Sequence, residues 1–238
     1  MRISLITCLV LFSTRASAQQ TAPPSIQWWH VAVATGLLVV TSAVDYDVKD
    51  WIQTHRSSGA DAAARVFRHG GQPEVVFAVP AGMFVAGLIG HDKKLERGAL
   101  RVIASVGAAG LTTVAIKEVV GRVRPISATN QYEFRPFTQD ESFPSGHTTV
   151  AFAFAAALGD EIHRPWASAL LYAGATGTAW SRLNDNEHWL SDVLAGAAVG
   201  ITAAKIVDGR WRLFGLRPPR FLVEPQERRA RVEWRATF

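Results

Sequence analysis

Apolar residues are gathered into six stretches that short polar or charged segments separate. The stretches are residues 26–44, 75–90, 99–120, 147–159, 166–180 and 190–207. Few segments alternate apolar and polar residues as half-buried strands do. The pattern predicts an all-α fold, a helical bundle of about six core helices. Residues 45–70 carry mixed charges and predict one shorter amphipathic helix between the first two stretches.

The lengths of these stretches leave two kinds of bundle open. A membrane-spanning helix needs about 20 apolar residues. Residues 26–44 come close to this length, with Trp28 and Trp29 where an interfacial aromatic belt lies. The other stretches are shorter or contain a Lys or Arg, which also fits the buried helices of a soluble bundle. The pattern favours membrane association, with a soluble form as the alternative.

The N-terminus has the pattern of an export signal. Arg2 precedes a short apolar run, and Ala16-Ser17-Ala18 matches a cleavage site. The predicted organisation follows in chain order. It comprises a signal peptide at 1–18, a linker at 19–25, a helical domain at 26–208 that carries active-site motifs at 117–192, and a basic C-terminal tail at 209–238.

Basic residues predict the orientation of the bundle. Residues 91–98 and the segment after Val207 are rich in Lys and Arg, which favours a cytoplasmic location for both. Residues 121–146 and 181–189 would then face outward. This orientation starts residues 26–44 inside, whereas a cleaved signal would start them outside. Either the signal is uncleaved, or 26–44 does not span, or the bundle is soluble.

The net charge and the cysteine content limit the classes of binding partner and the disulfides that we expect. The formal charge of +5 falls to +3 without the signal segment, which contains two arginines and no acid. This modest excess does not point to nucleic acid, and a polyanion-binding structural protein stays a distant alternative. The single cysteine, Cys8, lies in the signal segment, so we expect no disulfide in the mature protein.

A first candidate cluster runs from Ser181-Arg182 to Asp192. His188 and Asp192 are four residues apart, so on a helix they share one face. A carboxylate that accepts Nδ1–H would leave Nε2 as an oriented nucleophile. Taken alone, such a pair is more typical of a helix surface.

A second cluster contains Lys117, Arg124 and Pro125. A spacing of seven residues places the two cations on one side of a helix, which the proline would end. Cations at the end of an apolar stretch require an anion, and a phosphate gripped by Arg and Lys is one solution. Snorkelling at a membrane edge is the other. Arg122 is predicted to lie at the surface.

The third cluster is Pro144-Ser145-Gly146-His147, at the start of an apolar stretch. Ser145 is a natural N-cap, and Gly146 allows a backbone to approach a ligand closely. Free N–H groups at a helix start bind phosphate oxygens. His147 would then lie beside a leaving group and could donate a proton.

Taken together, the clusters spell Lys-x6-Arg-Pro, Pro-Ser-Gly-His and Ser-Arg-x5-His-x3-Asp, complete and in order within 117–192. This pattern resembles the signature of the type 2 phosphatidic acid phosphatase and vanadium haloperoxidase superfamily. The resemblance implies that His188 attacks phosphorus to form a phosphohistidine and that Asp192 orients it. His147 would protonate the departing alkoxide and then activate water.

The resemblance also assigns a phosphate-binding role to the remaining motif residues. Lys117, Arg124 and Arg182 would neutralise the phosphoryl oxygens, and Ser145 with the Gly146 amide would complete the cradle. It implies no metal and no cofactor, although vanadate could bind as a phosphate mimic.

The resemblance predicts a metal-independent phosphatase exported from the cytoplasm and acting on a phosphorylated lipid or a small phosphomonoester. Lipid phosphates of the phosphatidic acid or isoprenoid pyrophosphate type are favoured if the protein is membrane-associated. A soluble periplasmic acid phosphatase of broad specificity, a vanadium-dependent haloperoxidase, and phosphotransfer to another acceptor stay open.

Overall fold

Eight helices and four short strands make up the described part of the protein. The structure is a computed structural model that describes residues 23–138, 141–214, 220–224 and 229–233. The helices are α1 (Trp28–Ser42), α2 (Asp45–Thr54), α3 (Ser58–His69), α4 (Pro73–Gly90), α5 (Lys93–Val120), α6 (Gly146–Ile162), α7 (Pro165–Asn184) and α8 (Leu190–Val207). The strands are β1 (Ser25–Ile26), β2 (Arg212–Leu213), β3 (Arg220–Glu224) and β4 (Arg229–Glu233).

The predicted all-α bundle is confirmed, because each of the six apolar stretches lies in a helix of its own: α1, α4, α5, α6, α7 and α8. The prediction of a single helix over residues 45–70 is wrong, since α2 and α3 divide this segment. Ser57 separates them and caps α3, where its hydroxyl accepts from the Ala60 N–H at 3.1 Å.

The strands are peripheral to the bundle. β1 pairs in parallel with β2, which ties the start of α1 to the segment after α8. β3 and β4 form an antiparallel hairpin within the basic tail. The predicted signal peptide lies outside the described residues, and the domain boundaries remain predictions.

Helix α6 lies at the centre of the bundle and packs against α5, α7 and α8. Its inward residues are small, as in the buried Ala151, Ala153 and Ala155. Alanine lets neighbouring helices approach closely, which suits a bundle with few bulky core side chains. By contrast, none of the residues of α1 is buried.

The antiparallel order of the core helices creates two distinct ends. The C-terminal ends of α5 and α7 lie with the N-terminal ends of α6 and α8 at one end of the bundle. The opposite end holds the start of α5 and the C-terminal ends of α6 and α8, joined by ion pairs such as Arg101–Glu161 at 2.6 Å. All three sequence clusters fall at the first end, which is called here the motif end.

Three helices, α4, α5 and α8, are long and apolar enough to cross a membrane. α1 and α2, bent by 50° at their junction, would provide a fourth span if counted together. The length and apolar composition of these helices support a membrane protein, which the sequence pattern also favoured.

Candidate active site

The fold brings the predicted site residues together from four separate elements. Lys117 lies on the last turn of α5, and His147 on the first turn of α6. The Ser145 N–H donates to the Asp192 carbonyl at 3.0 Å, which joins the starts of α6 and α8. A side chain at Gly146 would place its Cβ 3.9 Å from Lys117 Cε, so this cation lies directly beside the glycine.

Lys117 and Arg124 do not share a helix, contrary to the sequence prediction. Helix α5 ends at Val120, because Gly121 adopts a left-handed conformation with φ of 55°. The Arg135 N–H donates to the Gly121 carbonyl at 2.6 Å, and a Cβ on Gly121 would collide with the Arg135 carbonyl. The chain therefore leaves the helix before it reaches Arg124. A loop, not helical periodicity, brings the two charges near each other.

The side chain of His188 is buried and held in one tautomer. Its Nδ1 lies 2.7 Å from the Ser142 carbonyl oxygen, which can only accept a hydrogen bond. Nδ1 therefore carries the proton, and Nε2 is left with a free lone pair. The predicted partner Asp192 lies 3.8 Å from Nδ1, beyond hydrogen-bonding distance.

Asp192 supports His188 indirectly, through the loop that holds the carbonyl. Its carboxylate accepts from the Ser142 hydroxyl at 2.5 Å and from the Trp189 N–H at 2.8 Å. It thereby fixes residues on both sides of the imidazole. The direct hydrogen bond that the sequence predicts between Asp192 and His188 is thus replaced by contacts through Ser142 and Trp189.

The prediction that Arg122 lies at the surface is wrong. This arginine is 2% exposed and donates to Asp192 at 2.7 Å and to Asp45 at 2.8 Å. Asp45 is also fully buried, and it accepts from the Ser191 N–H and hydroxyl at 2.9 and 2.5 Å. A buried acid–arginine–acid chain, Asp45–Arg122–Asp192, thus connects α2 to the support of His188.

The motif cations contact acids of the loop between α7 and α8. Arg124 is paired with Glu187, while Arg182 lies 3.1 Å from Asp185 and 3.8 Å from Glu187. Neither acid is simply solvated, because each is paired with an arginine. On the other side, the Lys117 ammonium donates to a backbone carbonyl, that of Glu141.

Arg182 has a buried donor that the described residues leave unpaired. The residue is 6% exposed, and its Nε finds no hydrogen-bond acceptor among residues 23–138, 141–214 and the two C-terminal strands. A buried unpaired guanidinium nitrogen is costly, and an anionic oxygen would satisfy it.

The start of α6 adds further donors. Ser145 is the residue that precedes the helix, as predicted, but its hydroxyl accepts from Thr148 at 2.9 Å rather than capping the backbone. The first-turn N–H groups of a helix have no intrahelical partner. The Gly146 and His147 amides therefore belong to a helix terminus suited to an anion.

The pKa of the His188 imidazole lies below its usual value, chiefly because burial disfavours the charged ring. Asp192 opposes this effect, whereas the charges of Lys117 and Arg182 reinforce it. The ring is thus held neutral, the form in which Nε2 can act as a nucleophile. His147 is half-buried and lies within electrostatic range of both His188 and Arg182.

Sequence reasoning missed three contributors to this site: Ser142, Arg122 and Asp45. Ser142 lies directly before Phe143-Pro144, so its position beside the third cluster was a possible signal. Arg122 lies inside the Lys-x6-Arg-Pro spacing. Asp45 is far away in the sequence, and no spacing links it to the motifs.

Among the described residues there is no group of three His, Cys, Asp or Glu side chains that could hold a metal ion. The predicted independence from metals remains a prediction, which a chelator tests.

Comparison with known proteins agrees with this geometry. Residues 98–210 match the model of the PAP2 superfamily. The chain is 33% identical over 201 residues to a lipid A 1-phosphatase of Porphyromonas gingivalis, which covers 79% of this chain and 41% of the relative. It is 37% identical over 92 residues to a putative undecaprenyl-diphosphatase of Escherichia coli, covering 39% of this chain and 46% of that protein. The chain thus spans less than half the length of these curated relatives.

Two crystal structures share the fold. Aquifex aeolicus LpxE superposes with a TM-score of 0.57 at 21% identity, covering 69% of this chain and 94% of that one. A transmembrane PAP2-type phosphatidylglycerolphosphate phosphatase from Bacillus subtilis gives a TM-score of 0.59 at 19% identity, covering 75% and 94%. The match to the PAP2 superfamily thus lies in residues 98–210, which contain all three sequence clusters.

Proposed function

We propose that this protein is a metal-independent phosphatase that hydrolyses lipid phosphates through a phosphohistidine at His188. The observation that carries the proposal is the buried His188, with Nε2 free, at a site where Arg182 keeps a buried N–H unpaired. A neutral imidazole can attack phosphorus, and an unsatisfied cationic donor can neutralise a phosphoryl oxygen without a metal.

The first chemical step uses the tautomer that the Ser142 carbonyl fixes. The Nε2 lone pair of His188 forms a bond to phosphorus, while the bond from phosphorus to the ester oxygen breaks and its electron pair stays on that oxygen. His147 donates a proton to the departing oxygen. Arg124 and Arg182 neutralise the phosphoryl oxygens as charge accumulates on them.

The second step reverses the proton transfer. A water molecule attacks the phosphohistidine, gives its proton to His147, and forms the new bond to phosphorus. The electron pair of the N–P bond returns to His188. Inorganic phosphate leaves, and both histidines regain their starting protonation states.

A lipid substrate is supported by an apolar groove that reaches the site. The groove lies between α1, α5 and α8, with a volume of about 760 Å³. The end of the groove near the site is lined by Ile116, Phe143 and Ala195. Ile116 precedes Lys117 in the chain, and Ala195 lies one turn beyond Asp192. The opposite end of the groove is lined by Ile206. A hydrocarbon chain in this groove would hold its phosphate at the motif end. The relatives named for lipid A and undecaprenyl substrates fit the same class.

The proposed orientation places the motif end outside the cytoplasm. The basic residues 91–98 and residues 208–214 lie at the opposite end, which the positive-inside tendency assigns to the cytoplasm. β1 holds the start of α1 at this same end. The start of α1 would then lie on the cytoplasmic side.

The test is phosphate release by the full chain in detergent, with and without EDTA, from an aryl phosphate and a panel of lipid phosphates. We expect EDTA-resistant release that prefers lipids, and at least about a 10⁴-fold loss in His188→Asn. His163→Asn is the matched control, because His163 lies at the far end of α6 and asparagine tolerates its left-handed backbone. Release that EDTA abolishes, or that His188→Asn retains, would refute the mechanism.

A further inference from the structure

A fourth arginine, outside the three motifs, lies beside the site. Arg68 occupies the last turn of α3, and its side chain is 38% exposed. Its guanidinium lies 3.6 Å from the Asp185 carboxylate, which lies 3.1 Å from Arg182. Arg68 and Arg182 thus share one acid, in the same way that Arg124 and Arg182 share Glu187.

The end of α3 is fixed tightly against the first turn of α6. A Cβ on Gly71 would lie 2.7 Å from the His147 carbonyl oxygen, so only glycine permits this approach. The Thr178 hydroxyl donates to the Phe67 carbonyl at 2.8 Å, which attaches α3 to α7. Arg68 is therefore carried on a rigid support, and its charge acts on both His147 and Arg182.

The position of Arg68 relative to His147 indicates what it could bind. In the proposed mechanism His147 faces the leaving group. When the leaving group is an alkoxide, a single proton cancels its charge. When the leaving group is itself a phosphate, negative charge remains after that proton is transferred, and a nearby guanidinium is the group that would neutralise it.

We propose that Arg68 binds the second phosphate of a lipid diphosphate, an inference that rests on the proposed function. His188 attacks the terminal phosphorus, and the bond to the bridging oxygen breaks with its electron pair on that oxygen. His147 protonates this oxygen, and the lipid monophosphate departs with its remaining charge paired to Arg68. Asp185 holds Arg68 until the substrate arrives.

The experiment compares farnesyl diphosphate with farnesyl monophosphate, which share one hydrocarbon chain. We expect Arg68→Ala to lower kcat/KM for the diphosphate about 10- to 100-fold and to change that for the monophosphate less than about twofold. Arg68→Lys should retain part of the diphosphate activity. Arg65→Ala is the control, since Arg65 is exposed on the same helix. Equal losses on both substrates, or no loss on either, would overturn the proposal.

A binding measurement keeps this test separate from the proposed function. Calorimetry with inorganic diphosphate and inorganic phosphate needs no turnover. Arg68→Ala should weaken diphosphate binding about tenfold or more and leave phosphate binding within about twofold. If the wild-type chain releases phosphate neither from the farnesyl substrates nor from the lipid panel, the phosphatase proposal fails, and this binding ratio still decides the role of Arg68. An unchanged ratio in the variant would refute that role.

Discussion

The two ends of the bundle both concentrate charge, but they arrange it differently. At the far end, Arg101 makes two hydrogen bonds to Glu161, at 2.6 and 2.8 Å, and Lys205 makes two to Asp160, at 2.6 and 2.9 Å. These pairs join neighbouring helices directly, α5 to α6 and α6 to α8. Arg101 and Lys205 are thus each paired with an acid that also belongs to the rigid bundle.

At the motif end the corresponding acids come from a loop. Asp185 and Glu187 lie between α7 and α8, and Arg182 still has a buried Nε without an acceptor among the described residues. Paired charges of the far end stabilise the contact between helices. Arg124 and Arg182 at the motif end are held by loop acids that an arriving phosphate can displace, so we infer that their pairing serves binding. Arg122 differs, because its partners Asp45 and Asp192 are buried in α2 and α8.

The largest difference should appear when one arginine is removed from each end. Arg122→Met leaves Asp45 and Asp192 buried without their cation, which should cost about 3–5 kcal/mol of unfolding free energy. Arg101→Met is the matched change at the far end, where the side chain is 45% exposed, and should cost at most about 1 kcal/mol. Thermal unfolding of both variants in one detergent compares them. Similar losses of unfolding free energy in the two variants would show that the Asp45–Arg122–Asp192 chain stabilises the fold no more than an exposed ion pair does.

The second contrast concerns activity. Arg182→Ala removes the buried donor that the proposed mechanism places against the phosphoryl group, and it should lower kcat/KM about 10²- to 10³-fold. Lys205→Ala removes a cation of the same charge at the far end and should leave kcat/KM within about twofold. Phosphate release under matched conditions measures both. A loss in Lys205→Ala as large as that in Arg182→Ala would mean that bundle integrity, and not phosphate binding, controls activity.

The same contrast explains which features the sequence could predict. The six apolar stretches and the three motifs are local patterns, so the helices and most site residues follow from spacing. The roles of Arg122 and Asp45 depend on a contact between residues 77 positions apart. Gly121 shows a second limit of prediction from the sequence. Residue spacing predicted a helix that continues to Arg124, but the left-handed conformation of Gly121 ends α5 at Val120. Contacts between distant residues, and the backbone conformation of one residue, leave no repeating pattern in the sequence from which they could be predicted.

Removal of an acid should change vanadate binding at the motif end and stability at the far end. Glu187→Gln frees Arg124 and Arg182 from a competing carboxylate, so the affinity for vanadate as a phosphate mimic should rise several-fold, up to about tenfold. Asp160→Asn at the far end should leave vanadate affinity unchanged and lower the unfolding temperature, since Lys205 loses its partner. Inhibition constants and melting curves give both values. Weaker vanadate binding in Glu187→Gln would show that this acid organises the cations instead of competing for them.

The smallest effect expected is a shift in pH dependence. In the proposed mechanism His188 must be neutral to attack, so activity is retained above its pKa and lost as the pH falls through that pKa. Because burial lowers this pKa, the fall of kcat/KM on the acid side (the acid limb) should lie below the ordinary histidine value of about 6.5. Lys117 lowers this pKa by its charge, so Lys117→Met should move the limb to higher pH even though overall activity falls. Arg101→Met, at the far end, should not move it. The substrate ionises identically in all three assays, so a limb that stays in place in Lys117→Met would assign it to a group other than His188.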